Sequence, residues 1–291
     1  MRAFVRTETT LHCDMRENSY SLNKKNRDGL VDRAGDLAIN TVKKLRGAFG
    51  FIGDVFAAIW RMLRGHTATR RVDIMREIDN AGPRAIPIVC LLSFMIGLII
   101  AFVGNMQLKL FGAEIYVAAL VAISMTRILG AVMTGIIMAG RTGASYAAEI
   151  GSMRANEEID ALQTMGVSPI EFLVLPRVLA LTITIPILTI IADIVAIVGG
   201  MCVAVTLMNV SVAEYWRTTL EWITFNNFAV GVLHGWLFGW VIAIIGCRCG
   251  MHATKTADGI GRATTRAVVL GIVGCVVTTA ILTLIFNWID I

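Results

Sequence analysis

Residues 139–180, which read AGRTGASYAAEIGSMRANEEIDALQTMGVSPIEFLVLPRVLA, form a charged segment between two long apolar runs. Six charges lie within its first 22 residues, at Arg141, Glu149, Arg154, Glu157, Glu158 and Asp160. The chain on either side carries almost no charge over the length that a bilayer requires. The charged segment must therefore leave the hydrocarbon, where water or another protein meets its charges.

The composition of the whole chain is that of a membrane protein. Of its 291 residues, 56% are hydrophobic and only 16% are charged, whereas soluble domains carry about a quarter charged residues. The net charge is +5. Because the basic residues cluster at the ends of apolar runs, attraction to anionic lipid headgroups is favoured over binding to nucleic acid. The six cysteines show no zinc-ligand spacing, and the first long apolar run comes too late for a secretory signal.

Five apolar runs are long enough to cross a bilayer and predict an all-α membrane protein. Residues 34–291 would form the membrane domain, and the polar, basic residues 1–33 predict a flexible cytoplasmic tail. Lys and Arg are concentrated before the first span and after the second and fourth. This bias predicts a cytoplasmic N-terminus and charged segment, and a C-terminus on the far side. The predicted spans are residues 85–104, 113–139, 178–208, 228–247 and 267–289.

Residues 34–64 carry a helical repeat that does not cross the membrane. Apolar residues recur at spacings of three and four, at Leu45, Phe49, Ile52, Phe56, Ile59 and Leu63. The uncharged part is too short to span a bilayer. We expect an amphipathic interfacial helix with Trp60 at headgroup depth, the alternative being a soluble helix packed on a partner.

Start and stop residues divide the charged segment after Ala155. Asn156 is typical of a helix start, Gly166 favours a stop, and residues 168–171 (Ser-Pro-Ile-Glu) favour a second start. The pattern predicts a short exposed helix between tight turns, suited to docking on a soluble partner. The alternative is an ordinary connector that packs on its own bundle. The candidate docking residues are Glu149, Arg154, Glu157, Glu158, Asp160, Leu162 and Met165.

Polar residues inside the spans are the second functional signal. Arg127 falls near the middle of the second span, where a charge usually faces a cavity, a counter-charge or a ligand. A guanidinium can bind phosphate with two hydrogen bonds, and Asp193 in the third span is its possible charge partner. We expect Arg127 to line a lipid pathway together with Asn105, Met106 and Gln107 at the end of the first span.

Catalytic motifs are missing from the sequence. It contains no Walker A motif, no His-Glu-x-x-His and no Gly-x-Ser-x-Gly, so we expect no cofactor or metal on this chain and an energy source on another one. An ion-coupled secondary carrier using Arg127, Asp193 and His234 remains an alternative, although His234 alone suits a hydrogen-bonded packing residue better. A lipid-modifying enzyme is a further alternative, for which the sequence shows no clustered polar site.

The charged segment closely resembles the MlaE/YrbE permease family, the membrane subunits of MCE-type phospholipid ABC transporters. DGIGRATTRAVV at residues 258–269 is similar to a second family motif, and NMQLKLFGAEIYVA at residues 105–118 is a looser match. Together the resemblance covers roughly residues 35–290. It implies an interfacial helix, five spans and a cytoplasmic coupling helix between the second and third spans.

The same resemblance implies partners and a substrate. It implies a homodimer in the bacterial inner membrane, a separate ATPase that holds ATP and Mg²⁺, a STAS-domain protein and a periplasmic MCE-domain protein. The implied cargo is phospholipid moved between the inner and outer membranes. One departure concerns the lipid pathway: the family commonly reads Arg-Glu-Leu-Gly-Pro where residues 127–131 read Arg-Ile-Leu-Gly-Ala. Without that Glu, Arg127 is either available to a lipid headgroup or needs Asp193 as its counter-charge.

Overall fold

The computed structural model describes residues 46–47, 50–62, 64, 71–208 and 210–289. The predicted tail (residues 1–33) and most of the first half of the predicted interfacial helix lie outside this part. The contacts divide the chain into two units, Met1–Gly53 and Asp54–Ile291. The second unit holds the five membrane-crossing helices, the predicted docking residues and the predicted lipid-pathway residues.

Regular structure in the described residues is helical throughout. The helices are α1 (50–62), α2 (Arg71–Ala81), α3 (Ile86–Leu108), α4 (Val117–Ser124), α5 (Gly130–Met138), α6 (Ala144–Ala155), α7 (Glu158–Thr164), α8 (Leu175–Met208), α9 (Val212–Trp222), α10 (Phe225–Met251) and α11 (Ala257–Trp288). Tighter 3₁₀ turns lie at Pro83–Ala85, Lys109–Phe111 and Glu114–Tyr116, and wider π turns lie at Met125–Leu129, Ala139–Gly143 and Ile170–Val174.

Five helical stretches are long and apolar enough to cross a membrane, which confirms the predicted all-α, five-span fold. They are Val72–Phe111, Glu114–Ala155, Ile170–Met208, Phe225–Met251 and Ala257–Trp288. The second stretch has 42 residues, about 63 Å of helix against a hydrocarbon thickness of about 30 Å. Its last turns must therefore project from the bilayer, so the first half of the charged segment is a continuation of the second span.

Contacts between connectors define the two ends of the bundle. At the charged end, Lys255, between the fourth and fifth spans, pairs with Glu157, between the second and third. At the aromatic end, Tyr116 contacts Trp222 edge-on with ring centroids 6.4 Å apart, which joins the connectors after the first and third spans. Connectors therefore alternate between the two ends, as five successive crossings require.

The spans approach one another closely at glycines. α8 lies at the centre and packs against α2, α3, α5 and α10. A Cβ atom at Gly97 of α3 would overlap the carbonyl of Ala196 in α8, and one at Gly231 of α10 would overlap the carbonyl of Thr126. Since helices in lipid associate largely through van der Waals packing, these contacts fix where the backbones cross.

Candidate functional site

The short helix α7 is closed at its C-terminal end by the predicted glycine. Gly166 has φ +76°, a left-handed conformation that glycine adopts without a steric penalty. Its N–H donates to the Gln163 carbonyl at 3.0 Å, and the Val167 N–H donates to the Leu162 carbonyl at 3.0 Å. This pair of bonds is a Schellman motif, which satisfies the last carbonyls of the helix and turns the chain sharply.

The start of α7 differs from the predicted cap. The Asn156 amide donates to the Glu158 carboxylate at 3.4 Å rather than capping the helix. Glu157 occupies the N-cap position with φ +62°, a left-handed conformation that costs a residue with a Cβ atom about 1–2 kcal/mol. The chain reverses here between α6 and α7, so neighbouring contacts must compensate for the strain.

Lys255 provides such a contact. Its Nζ donates to Glu157 Oε1 at 3.1 Å and to Asp160 Oδ2 at 2.9 Å. Hydrogen bonds to Asp160 and Glu157 raise the pKa of Lys255 above its ordinary value. The Arg154 guanidinium also donates to the Met251 carbonyl at the end of α10. Two contacts thus join the α6–α7 corner to the connector between the fourth and fifth spans.

A buried arginine joins three helices beside this corner. Arg177 of α8 places Nη2 3.0 Å from Glu149 Oε2 in α6 and Nε 3.5 Å from Glu77 Oε1 in α2. Its Nη1 donates to the Leu173 carbonyl at 2.9 Å, and the guanidinium lies 5.4 Å from the ring centre of Tyr146. One cation between two carboxylates therefore ties the second and third spans to α2, at the start of the first membrane-crossing stretch. We call Glu77, Glu149 and Arg177 the arginine hub.

The seven predicted docking residues divide into three groups. Glu149 belongs to the arginine hub, and Arg154, Glu157 and Asp160 contact the neighbouring connector. Glu158, Leu162 and Met165 remain on the outer part of α7, where Met165 is 68% exposed and Leu162 is half-buried. Ile159 is buried and holds the helix to the bundle.

Sequence reasoning missed Glu77, Arg177 and Lys255 as members of this site. Arg177 did carry a signal, because it is a charge at the edge of a long apolar run in which the next charge is Asp193. Glu77 and Lys255 lie in polar stretches, where one charge looks like any other. Their roles come from contacts between residues about 100 positions apart.

The predicted lipid-pathway residues lie on two helical stretches. Asn105, Met106 and Gln107 form part of the last turns of α3, where Met106 and Gln107 are exposed. Within the described part of the chain, Asn105 Oδ1 is buried and has no hydrogen-bond partner. Arg127 lies in the π turn Met125–Leu129, and its Nη1 donates to Asn227 Oδ1 of α10 at 3.0 Å. The π turn widens the second span at a functional candidate, a common position for such turns.

Asp193 lies elsewhere in the core. It is buried in α8, with Oδ1 against Gly130, where a Cβ atom would overlap the carboxylate. No ion pair among the described residues joins it to Arg127, and its Oδ1 has no hydrogen-bond partner there. His234 agrees with the packing prediction: Nδ1 lies 2.8 Å from the Val230 carbonyl, and the ring packs against Phe238 and Phe286.

A five-span helical bundle with a short helix presented between its second and third spans is the architecture of a multi-pass membrane protein. The family described as Permease MlaE matches residues 74–285, and the chain belongs to this family. Membership makes it a transport subunit and not an enzyme.

Three named relatives are also described as permease proteins. The chain is 35% identical over 257 residues to a probable ABC transporter permease protein of Rickettsia conorii, covering 88% of this chain and 98% of the relative. It is 32% identical over 201 residues to the intermembrane phospholipid transport system permease protein MlaE of Haemophilus influenzae, covering 67% of this chain and 76% of that relative. A probable ABC transporter permease protein of Rickettsia typhi is 39% identical over 196 residues, or 67% of this chain and 76% of the relative.

Proposed function

We propose that this chain is the permease subunit of an ABC transporter that moves phospholipid between the inner membrane and a periplasmic MCE-domain partner. The observation that carries the proposal is α7, a seven-residue helix presented between the second and third spans at the charged end. Membership of the MlaE permease family supports the proposal, as does the phospholipid transport named for the Haemophilus relative. The charged end would be cytoplasmic, with the N-terminus, and the C-terminus periplasmic.

In this proposal α7 is the coupling helix. Its outer surface, Glu158, Leu162 and Met165, would fit a groove on the ATPase, which holds ATP and Mg²⁺ and performs the hydrolysis. α6 continues directly from the second span, and the arginine hub ties it to α2 and α8. A movement of α7 would therefore be transmitted to these three helices together. A STAS-domain protein would complete the cytoplasmic assembly.

Arg127 would bind the lipid headgroup. A guanidinium suits a headgroup phosphate, and Asn227 holds it at 3.0 Å between the second and fourth spans. Asn105, Met106 and Gln107 would extend the pathway along α3. The spans containing α3 and α11 have the smallest share of buried residues among the five, so they offer the surface for a second copy in a homodimer. Helix α1 would lie along the cytoplasmic surface, with Phe56 stacked on Trp240 of α10 at a centroid distance of 5.2 Å.

A matched pair of substitutions tests the coupling surface. Met165, at the C-cap of α7, and Met75 of α2 are almost equally exposed, at 68% and 69%. Met165→Asp and Met75→Asp therefore introduce the same charge at similar structural cost. The full-length tagged chain is purified from its native membranes, and the co-purifying ATPase is measured by ATP hydrolysis and mass spectrometry. We expect Met165→Asp to lose the ATPase and Met75→Asp to retain it. Equal retention in both variants contradicts the role of α7.

The purified complex in proteoliposomes tests the transport itself. We expect transfer of fluorescent phospholipid to an acceptor to require ATP, and to stop when the hydrolysis is inhibited by vanadate. Transfer driven by a proton gradient without nucleotide would instead establish the secondary carrier. Conversion of the lipid to another compound would establish the enzyme.

A further inference from the structure

Helix α9, at the aromatic end, has three distinct sides. The side toward the bundle carries Tyr215 and Thr219, both buried, and the Tyr215 hydroxyl donates to the Ile197 carbonyl of α8 at 3.2 Å. The helix also has a defined start, since Ser211 Oγ accepts the Glu214 N–H at 3.2 Å. These contacts fix the rotation of α9 about its axis, and therefore the direction of its other side chains.

The two remaining sides differ in character. Successive residues are turned by about 100° around a helix, so Val212, Trp216 and Leu220 share one side. They are 54%, 46% and 59% exposed. Glu214, Arg217 and Glu221 are also exposed and lie on the opposite side. The apolar side thus lies next to the side that contacts the bundle, and the charged side lies nearly opposite the side that contacts the bundle.

The position of α9 matches the boundary of the bilayer. It follows the end of the third span at Met208 and precedes the start of the fourth at Phe225, so it lies where two spans leave the hydrocarbon. Trp222 contacts Tyr116 here, and Phe225 is largely exposed. Tryptophan and tyrosine are enriched at this depth because their rings are apolar and their edges are polar.

We infer that α9 is an interfacial helix of the leaflet at the aromatic end, with Val212, Trp216 and Leu220 in the acyl region. The ends of the two spans that flank it also expose apolar side chains, Leu207 at 57% and Phe225 at 79%, and the charged side of α9 faces away from its apolar side. A helix with one apolar and one charged side can contact acyl chains and water at the same time. A soluble partner would have to cover the apolar side at membrane depth, where lipid already lies.

This placement also brings lipid close to the candidate pathway. Asn227, the partner of Arg127, is in the first turn of α10, directly after α9. Phospholipids held along α9 therefore lie beside the arginine that we propose meets the headgroup. The inference itself requires only that the chain crosses the membrane, so failure of the ATPase experiment leaves it unaffected.

Tryptophan quenching tests the inference on the full-length chain reconstituted alone in phosphatidylcholine vesicles. The fluorescence lost in Trp216→Phe reports Trp216, and Trp222→Phe is the matched control on the side that contacts Tyr116. We expect the Trp216 component to be quenched at least two-fold more by lipid brominated at carbons 6 and 7 than by lipid brominated at carbons 11 and 12. Aqueous iodide should quench it little.

Two neighbouring positions make the result independent of one tryptophan. In the Trp216→Phe background, Leu220→Trp should add a component quenched by brominated lipid, and Glu221→Trp should add one quenched by iodide. Iodide quenching at both positions 216 and 220 would overturn the inference, because the apolar side would then face water and be open to a soluble partner. Quenching by neither agent would also overturn it, because another copy of the chain would then cover the helix.

Discussion

Arg177 Nη2 lies 3.0 Å from Glu149 Oε2, and the same guanidinium reaches Glu77 Oε1 at 3.5 Å. A single buried cation therefore lies between Glu77 of α2 and Glu149 of α6, the helix that continues from the second span. Tyr146 covers the guanidinium, which limits its access to water. The arginine hub is thus a structural joint of the charged end, and it adjoins the corner that carries α7.

Arg177→Met should destabilise the protein strongly. The variant leaves Glu77, whose side chain is 17% exposed, and the half-exposed Glu149 without their shared cation. Removing one partner of a fully buried ion pair costs about 3–5 kcal/mol; because water reaches Glu149, we expect a cost below that range. We expect a lower midpoint of thermal unfolding in detergent, followed by circular dichroism. The matched control is Arg262→Met, because Arg262 pairs with Asp258 at 2.7 Å but both side chains are largely exposed. An exposed pair contributes about 0–1 kcal/mol, so equal shifts in the two variants would contradict the buried role of Arg177.

Lys255 should hold the start of α7 by charge. Lys255→Glu places a third acid beside Glu157 and Asp160, so we expect faster hydrogen exchange at the α7 amides of residues 161–164. Adding Glu157→Lys and Asp160→Lys to Lys255→Glu reverses all three charges and should restore slow exchange. Exchange is followed by mass spectrometry of peptides from this corner. Failure of the triple variant to restore protection would show that shape, and not charge, holds the corner.

The same contact predicts how the corner depends on pH. The hydrogen bonds from Lys255 to Asp160 and Glu157 raise its pKa above the ordinary value, so the folded state keeps this proton more tightly than the unfolded chain. The stabilisation is therefore fully present below about pH 10.4 and is lost as the pH rises through the raised value. We expect α7 exchange, corrected for its intrinsic pH dependence, to be constant from pH 6 to 9 in the wild type. A change within this range would contradict the assignment.

The fold was largely predictable from the sequence, whereas the site was only partly so. Five long apolar runs, interrupted only by Glu114, Arg127 and Asp193, predict five spans because a bilayer disfavours charge. Gly166 predicts the end of α7, because glycine adopts the left-handed conformation of a helix stop without a steric penalty. The role of Glu149 was not predictable: an acid that meets only water and one that pairs with a buried arginine look alike in the sequence until Arg177, 28 residues further on, is placed beside it. Lys255 and Glu157 are 98 residues apart, and no periodicity or spacing connects them.

Gly231→Ala should disturb the π turn that carries Arg127. A Cβ atom at Gly231 would overlap the backbone carbonyl of Thr126, and a backbone atom cannot move aside as a flexible side chain does. Overpacking of this kind costs about 1–3 kcal/mol. Gly261→Ala in α11 is the matched control, since nothing lies within 4 Å of its Cβ position and Ala is favoured over Gly in a helix by about 0.5–1 kcal/mol. We expect opposite shifts of the unfolding midpoint in the two variants; shifts of the same sign would contradict the close crossing.

Arg127 should act on the lipid through its charge and its hydrogen-bond geometry together. In the reconstituted transporter, we expect Arg127→Gln to abolish phospholipid transfer. Arg127→Lys should retain a reduced rate, because an ammonium keeps the charge but loses the planar pair of donors that suits a phosphate. Asn227→Ala should also slow transfer, since Asn227 holds the guanidinium at 3.0 Å. Unfolding midpoints of the three variants are measured in parallel, so that lost transfer at unchanged stability identifies a functional effect. Transfer at the wild-type rate in folded Arg127→Gln would remove this arginine from the lipid pathway.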